Sequence, residues 1–112
     1  MRLPDSVQVG PHKIDIFQTP EISEYFGKFH YAKNLIELTT DGVSDSIIGD
    51  TLMHEILHVI WNQTQMNALL GIPEPTDDTP DREEAAIHVL GAQLFQLLRQ
   101  NPKLVKFIIQ EK

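Results

Sequence analysis

The segment TLMHEILHVIW, residues 51–61, constrains the fold of this chain more than any other stretch. It contains His54, Glu55 and His58 in the pattern HExxH. On an α-helix, side chains four residues apart lie on one face about one turn apart, so both imidazole rings can aim at a single point. Zinc takes about four ligands and binds imidazole nitrogens at roughly 2.0–2.1 Å. The pattern therefore predicts a helix on which His54 and His58 bind zinc.

Glu55 follows the first histidine of the pattern and lies about 100° further round the same helix. From there its carboxylate is expected to reach a metal-bound water rather than the metal itself. Zinc lowers the pKa of such a water, and a carboxylate that takes its proton leaves a hydroxide able to attack a polarised carbonyl. We therefore expect Glu55 to act as a catalytic general base.

The residues around the pattern favour a metal site over a chance match. Shuffled chains of this histidine and glutamate content would contain HExxH in roughly one or two cases per hundred. Apolar residues at helical spacing predict a largely buried helix here: Ile47, Ile48, Leu52, Ile56, Val59 and Ile60. Ionisable side chains on a buried helix are costly without partners, and a metal ion is one such partner. The alternative is a pair of histidines hydrogen-bonded inside the core without a metal.

Alternating residues predict strands in the first part of the chain. Residues 7–9 and 12–17 alternate on either side of the turn signal Gly10-Pro11. Residues 28–31 and 35–39 are typical of a β-hairpin with a short turn between its strands. The apolar face of this hairpin is expected to consist of Phe29, Tyr31, Ile36 and Leu38.

Helix signals follow the strands. Ser44 is a good N-cap for the HExxH helix, which should run to about Gln65. The polar loop 71–78 cannot continue a helix, and Thr79-Pro80 predicts the start of the next one. Asn101-Pro102 should end that helix and cap a last one. The apolar positions expected to face inward in these two helices are Ala86, Ile87, Leu90, Leu94, Leu97 and Leu98, then Leu104, Phe107 and Ile108.

The order of these elements indicates the fold class. Another cap-and-proline signal, Thr19-Pro20, predicts a short helix that Gly27 ends. Strands otherwise precede helices, which is typical of an α+β fold with helices on one face of a small antiparallel sheet. At 112 residues, the chain is expected to form a single domain, residues 1–112.

Composition limits the partners and the metal ligands. The chain has no cysteine, so any metal must be held by His, Asp or Glu, and a reducing compartment is compatible with this. A net charge of -7 argues against nucleic-acid binding. The opening residues MRLPDS lack the apolar core of a signal peptide, and no apolar run approaches the ~20 residues of a membrane span. We expect a cytoplasmic protein with no membrane partner; its oligomeric state stays open.

A third metal ligand is expected near the start of the helix after the polar loop. Catalytic zinc usually has three protein ligands and an open position, and Glu83 and Glu84 are the candidates. Acidic residues in a first turn are also favoured by the helix dipole alone, and Asp81 with Glu84 fits a capping box. We favour Glu84, with His88 one turn later as a hydrogen-bonding partner, and keep Glu83 as the alternative. His88 could itself be a ligand.

The chain as a whole resembles the zincin-like metallopeptidases, and more narrowly the small metallopeptidases encoded by phages and prophages. The similarity rests on GPHKIDI near the start, the hairpin from Gly27 to Leu38, DTLMHEILHVIW, the Glu83-Glu84 pair and LLRQNP. It implies a minimal gluzincin site, with two histidines of HExxH and a glutamate of the next helix on zinc. It also implies a sheet whose edge strand lines the substrate cleft.

The expected function is zinc-dependent hydrolysis of a peptide bond. An extended peptide or protein segment would pair with the sheet edge, while His54, His58 and Glu84 hold zinc and Glu55 moves protons. His30 and Tyr31 are candidate donors to a developing oxyanion. The alternative function is a non-enzymatic, metal-stabilised interaction module of phage or prophage origin.

Overall fold

The computed structural model describes residues 3–19 and 26–110, and in these ranges the chain forms four strands followed by four α-helices. The strands are β1 (Ser6–Val9), β2 (His12–Thr19), β3 (Gly27–His30) and β4 (Leu35–Thr39), and the helices are α1 (Asp45–Gln63), α2 (Met66–Leu70), α3 (Arg82–Gln100) and α4 (Pro102–Ile109). The predicted α+β class is confirmed. The short helix predicted after Thr19 lies outside the described residues. Among the helices described, none combines the length and the apolar character that a bilayer crossing requires.

The sheet is mixed, so the predicted purely antiparallel arrangement is wrong at its centre. The strand order is β1-β2-β4-β3. Both hairpins, β1–β2 and β3–β4, are antiparallel as expected, but they are joined through β2 and β4, which run parallel with Ile16 opposite Ile36. The central pairing is parallel because β4 lies beside β2. Strand β3 runs opposite to β4, so it would have paired with β2 in the antiparallel direction. The two edge strands of the sheet are therefore β1 and β3.

The core lies between this sheet and α1. Ile14, Ile36 and Leu38 are fully buried and pack in one cluster with Val59 of α1. Burial of an aliphatic side chain of this size stabilises the fold by about 1.5–3 kcal/mol. Tyr31 does not join this face as predicted, because it is 70% exposed. It lies in a 3₁₀ turn, Tyr31–Lys33, where the strand alternation has already stopped.

Helix α1 begins as predicted. Ser44 has extended backbone angles, and its hydroxyl oxygen accepts a hydrogen bond from the Ile47 N–H at 3.4 Å. The helix ends at Gln63, and the next break is Gln65, whose φ of 52° is left-handed. A short helix, α2, follows at once and was not predicted. Its last turn is closed by Gly71, with a φ of 66°.

Helix α3 begins two residues later than predicted. The cap is Asp81, whose Oδ1 accepts from the Glu84 N–H at 3.0 Å. The Thr79 hydroxyl is used inside the preceding loop, where it accepts from the Thr76 N–H at 2.8 Å. The cap-and-proline interpretation of Thr79-Pro80 is therefore wrong, because a second capping residue follows the proline.

Helices α1 and α3 lie side by side and antiparallel. Gly49 faces the ring of Phe95 near one end of the pair, and Gly91 faces Leu57 and the His54 backbone further along. A Cβ on Gly49 would lie 2.5 Å from Phe95 ring atoms, so the missing side chain allows this close approach. The consequence is that the start of α3 lies beside His54 and His58 of α1.

The apolar residues near the end of the chain are much more exposed than predicted. Leu104, Phe107 and Ile108 were expected to face inward, but all three are exposed. Leu90, Leu94 and Leu97 of α3 are exposed as well, whereas Ile87 is buried as predicted. The reason is the layering of the helices, since α3 packs on α1 and α4 packs on α3, further from the sheet.

Candidate metal centre

Helices α1 and α3 bring three ligand-type side chains together. Glu84 lies between the two histidines, with Oε1 2.7 Å from His54 Nε2 and Oε2 2.9 Å from His58 Nε2. The two Nε2 atoms are 3.3 Å apart. One ligand atom from each of these residues lies within 4.8 Å of the others, and the group could bind a metal ion.

The donor set can be tested against the geometry of a tetrahedral ion. Two nitrogens at roughly 2.0–2.1 Å from such an ion lie about 3.4 Å apart. The 3.3 Å between His54 Nε2 and His58 Nε2 agrees with this spacing. Two imidazoles and one carboxylate are also a common ligand set for zinc, although imidazole suits copper, iron and nickel too. The residues therefore fit a metal, and its identity is a separate question.

Glu83 contacts the same histidine from the other side. Its Oε2 lies 2.6 Å from Nδ1 of His58. A carboxylate at this distance accepts the Nδ1 proton, so Nε2 is the ring nitrogen left to share a cation with Glu84 and His54. Of the two adjacent glutamates, Glu84 is thus the one beside both Nε2 atoms, and Glu83 orients the His58 ring. His88 is exposed, with its ring centroid 6.5 Å from that of His54.

The start of α3 explains how two adjacent residues reach opposite sides of one imidazole. Consecutive helical residues point about 100° apart, so Glu83 and Glu84 diverge around the His58 ring. The Asp81 side chain accepts from the backbone N–H of Glu84 and so holds the first turn in place. The capping bond therefore positions the backbone that carries both glutamates.

Glu55 is buried beside the two histidines. It is 8% exposed, and its Oε2 lies 3.9 Å from His54 Nε2, which is too far for a hydrogen bond. Burial raises the pKa of the Glu55 carboxyl, and Glu84 adds to the rise; His58, His54 and a hydrogen bond from the Phe29 backbone lower it, but the net direction is upward. A carboxylate whose pKa is raised towards neutrality is a better proton acceptor in catalysis.

The His58 imidazole is also perturbed. Burial alone lowers its pKa, because a charged ring is poorly solvated there. The hydrogen bond to Glu83 and the negative charges of Glu55, Glu84 and Glu83 act in the opposite direction, and the pKa of His58 is raised above its ordinary value. A cation is therefore favoured at this position, whether it is a proton or a metal ion.

A cleft of about 400 Å³ opens over the histidines and runs along β3. Gly27, Phe29 and Tyr31 line it on the sheet side, and Asn62 lines it on α1. A Cβ on Gly27 would lie 2.6 Å from the Thr51 side chain, so this glycine lets the edge strand approach the HExxH helix.

The ladder between β3 and β4 shows which edge groups face outward. The Phe26 carbonyl accepts from the Thr39 N–H at 2.8 Å, so the backbone groups of Phe26 point towards β4. Alternation then turns the N–H and C=O groups of Gly27 and Phe29 away from β4. His30 Nε2 lies 2.6 Å from Glu37 Oε1, whereas Tyr31 remains in the cleft wall.

Two residues near the site were missed from the sequence. Trp61 and Asn67 are hydrogen-bonded to each other, and Asn67 also reaches Glu83. Trp61 lies on the predicted HExxH helix but was given no role, and residues 66–70, which include Asn67, were assigned to no element. Helical spacing places Trp61 one turn from His58, but no signal in a single sequence connects Asn67 to either residue.

Comparison with known proteins finds no match to this chain among family models, curated proteins or solved structures.

Proposed function

We propose that this protein is a zinc-dependent peptidase of a minimal zincin-like type. The observation that carries the proposal is the convergence of His54 Nε2, His58 Nε2 and the Glu84 carboxylate, with the two nitrogens at the spacing of ligands on one ion. In this proposal the three residues hold zinc. When bound, zinc supplies a Lewis acid that polarises a carbonyl and makes water a better nucleophile.

Glu55 is proposed to handle the protons of the reaction. Its carboxyl is buried at the base of the cleft, and its pKa is raised chiefly by burial. Such a group can accept a proton from the attacking water and return it to the leaving amine. Its 3.9 Å separation from His54 Nε2 supports a role beside the metal ligands rather than among them.

The edge strand β3 is the proposed docking site for the substrate. The outward backbone groups of Gly27 and the outward carbonyl of Phe29 offer the hydrogen bonds of an extra strand. An extended peptide on this edge would pass over Glu55, because the Phe29 N–H already bonds to that carboxylate. The proposed substrate is therefore an extended peptide or protein segment.

A second function is favoured by a different region. Phe107, Ile108 and Ile109 of α4 are all strongly exposed, and apolar surface of this kind often mediates interactions. A metal-stabilised interaction module, without catalysis, would use that surface and keep the metal for stability. The phage or prophage origin implied by the sequence resemblance would accommodate either function.

The test separates the two functions. Protein purified without a histidine tag is analysed for bound metal and then incubated with a broad peptide library. The peptidase proposal expects about one zinc per chain and cleavage that Glu55→Gln reduces by the ~10²–10⁴ of a positioned general base, with zinc content unchanged. Glu37→Gln, a matched change at the glutamate that contacts His30, should cleave at the wild-type rate. Cleavage by Glu55→Gln at that rate would overturn the mechanism.

A further inference from the structure

A continuous series of hydrogen bonds leads from the HExxH helix through α2 and α3 to a candidate ligand. The Trp61 indole N–H donates to Asn67 Oδ1 at 2.7 Å. The Asn67 amide donates through Nδ2 to Glu83 Oε1 at 3.4 Å, and Glu83 Oε2 lies 2.6 Å from His58 Nδ1. The series begins and ends on α1, one turn apart.

The chemistry of the groups sets the direction of each bond. An indole N–H can only donate, so the atom of Asn67 that faces Trp61 must be its oxygen. The amide nitrogen is then turned towards Glu83, where it donates to one carboxylate oxygen. The other oxygen remains to accept the Nδ1 proton of His58. Trp61 therefore determines how Asn67 points, and Asn67 determines how Glu83 is held.

Core packing does not explain the position of Asn67. None of the five residues of α2 is buried, and Leu69 and Leu70 on the same helix are exposed. By contrast, both hydrogen bonds of Asn67 are partly buried. The helix is thus attached near the site through the two hydrogen bonds of Asn67, to Trp61 and to Glu83, and it has no fully buried apolar side chain.

We propose that Asn67 and Trp61 are positioning residues of the metal site. They hold Glu83, which fixes the tautomer and the orientation of His58, and so they raise the affinity of the site for metal. Docking of α2 and metal binding are consequently coupled. This inference rests on the proposed metal-binding role of His58, and its test is designed so that the two can fail separately.

The experiment measures the zinc dissociation constant of the full, untagged chain by competition with a chelator. Removing a direct outer partner of a metal ligand typically costs 10–100-fold in affinity. Asn67 acts one bond further out, so Asn67→Ala should weaken zinc binding by about threefold to tenfold. Trp61→Phe, which keeps an aromatic ring and loses the donor, should have a smaller effect in the same direction.

The matched control is Asn101→Ala. Asn101 also makes a side-chain hydrogen bond, from Nδ2 to the Leu97 carbonyl at 2.8 Å, but it lies at the α3–α4 junction. The Asn101→Ala substitution should lower the Tm without changing the zinc affinity. Asn67→Leu provides a second variant of similar size, which keeps bulk at this position while removing both hydrogen bonds.

Trp61 supplies a spectroscopic readout, because it is the only tryptophan of the chain. Zinc added to the wild type should change its emission through Glu83 and Asn67, and this change should be lost in Asn67→Leu. A role confined to stability would lower the Tm and leave the emission response intact.

The outcomes separate the inference from the proposed function. The inference would be overturned, with the metal site left in place, if the wild type binds zinc and the zinc dissociation constants of Asn67→Ala and Asn67→Leu lie within twofold of that of Asn101→Ala. Wild type that binds no zinc would overturn both. If Asn67→Ala weakens zinc binding but Trp61→Phe leaves the zinc affinity unchanged, Asn67 is a positioning residue and Trp61 is not. Weakening in all three network variants, with the control unaffected, supports the inference.

Discussion

At one end of the α1–α3 pair, polar side chains meet and bond to one another, whereas the other end exposes apolar side chains beside α4. Glu84 contacts His54 and His58 at the polar end, at 2.7 and 2.9 Å. At the apolar end, Leu97 is 45% and Phe107 is 74% exposed. The α1–α3 pair therefore carries a region organised by hydrogen bonds at one end, whereas at the other end α3 and the adjoining α4 leave hydrophobic surface in contact with solvent.

Pairing between ionisable side chains positions the site, whereas side-chain packing holds the two helices together. Partly buried ionisable groups are tolerated at the polar end because each is paired with another, as His58 is with Glu83. The helices themselves are held together further along, where Gly49 meets Phe95. We expect changes at the polar end to alter metal binding, and changes at the helix contact to alter stability.

The largest effect is expected from removing a histidine of the polar end. His54→Ala or His58→Ala should abolish stoichiometric zinc, because each would leave only one imidazole and Glu84 on the proposed ion. Metal analysis of untagged protein measures this directly. His12→Ala changes an exposed histidine of β2 and should leave the metal content unchanged. Zinc retained in full by both site variants would place the metal elsewhere.

The next effect distinguishes the two glutamates of α3. Glu84→Gln should weaken zinc binding by at least about 100-fold, since it removes charge from the proposed ligand itself. Glu83→Gln should fall within the 10–100-fold range of an outer partner, because it loses only the carboxylate that orients His58. Chelator competition on both variants gives the order. A reversed order would make Glu83 the ligand and return Glu84 to the role of a first-turn acidic residue.

These residues also show how far the sequence could predict the site. HExxH predicted the pairing of His54 with His58, because the i, i+4 spacing is a local property of a helix. The choice between Glu83 and Glu84 needed the position of α3 relative to α1, which depends on contacts such as Gly49 with Phe95. Single-sequence patterns do not encode such packing.

In the fold, too, the features set by neighbours in sequence were predicted, and those set by distant contacts were not. Ser44 as a cap and the β3–β4 hairpin were predicted, because capping and tight turns involve neighbours in sequence. The parallel pairing of β2 with β4 was not, because two hairpins with the same local signals can meet along either edge. Helix α2 was missed because its N-cap, Gln65, is a non-glycine residue with a left-handed φ.

A smaller effect, on stability rather than on metal, is expected from Gly49→Ala. The added Cβ would lie 2.5 Å from the Phe95 ring, and overpacking of this kind costs about 1–3 kcal/mol. The Tm should fall by several degrees, with one zinc per chain retained. Gly91→Ala is the matched control, because its Cβ would meet Leu57 at an ordinary 3.4 Å and alanine favours a helix over glycine. Equal stability losses in both variants would contradict this account of the helix contact.

The smallest effect is expected at the apolar end, and it tests whether that surface is open. Phe107→Ser replaces a ring that is 74% exposed, so the free energy of unfolding should change by no more than about 0.5 kcal/mol. Denaturant unfolding measures this change. Ile14→Ala, at a fully buried position, should cost about 2–5 kcal/mol and sets the scale. A loss approaching that of Ile14→Ala would mean that Phe107 is covered in solution. Because such a cover would have to come from outside the described residues, the loss should then depend on protein concentration if a second copy provides it.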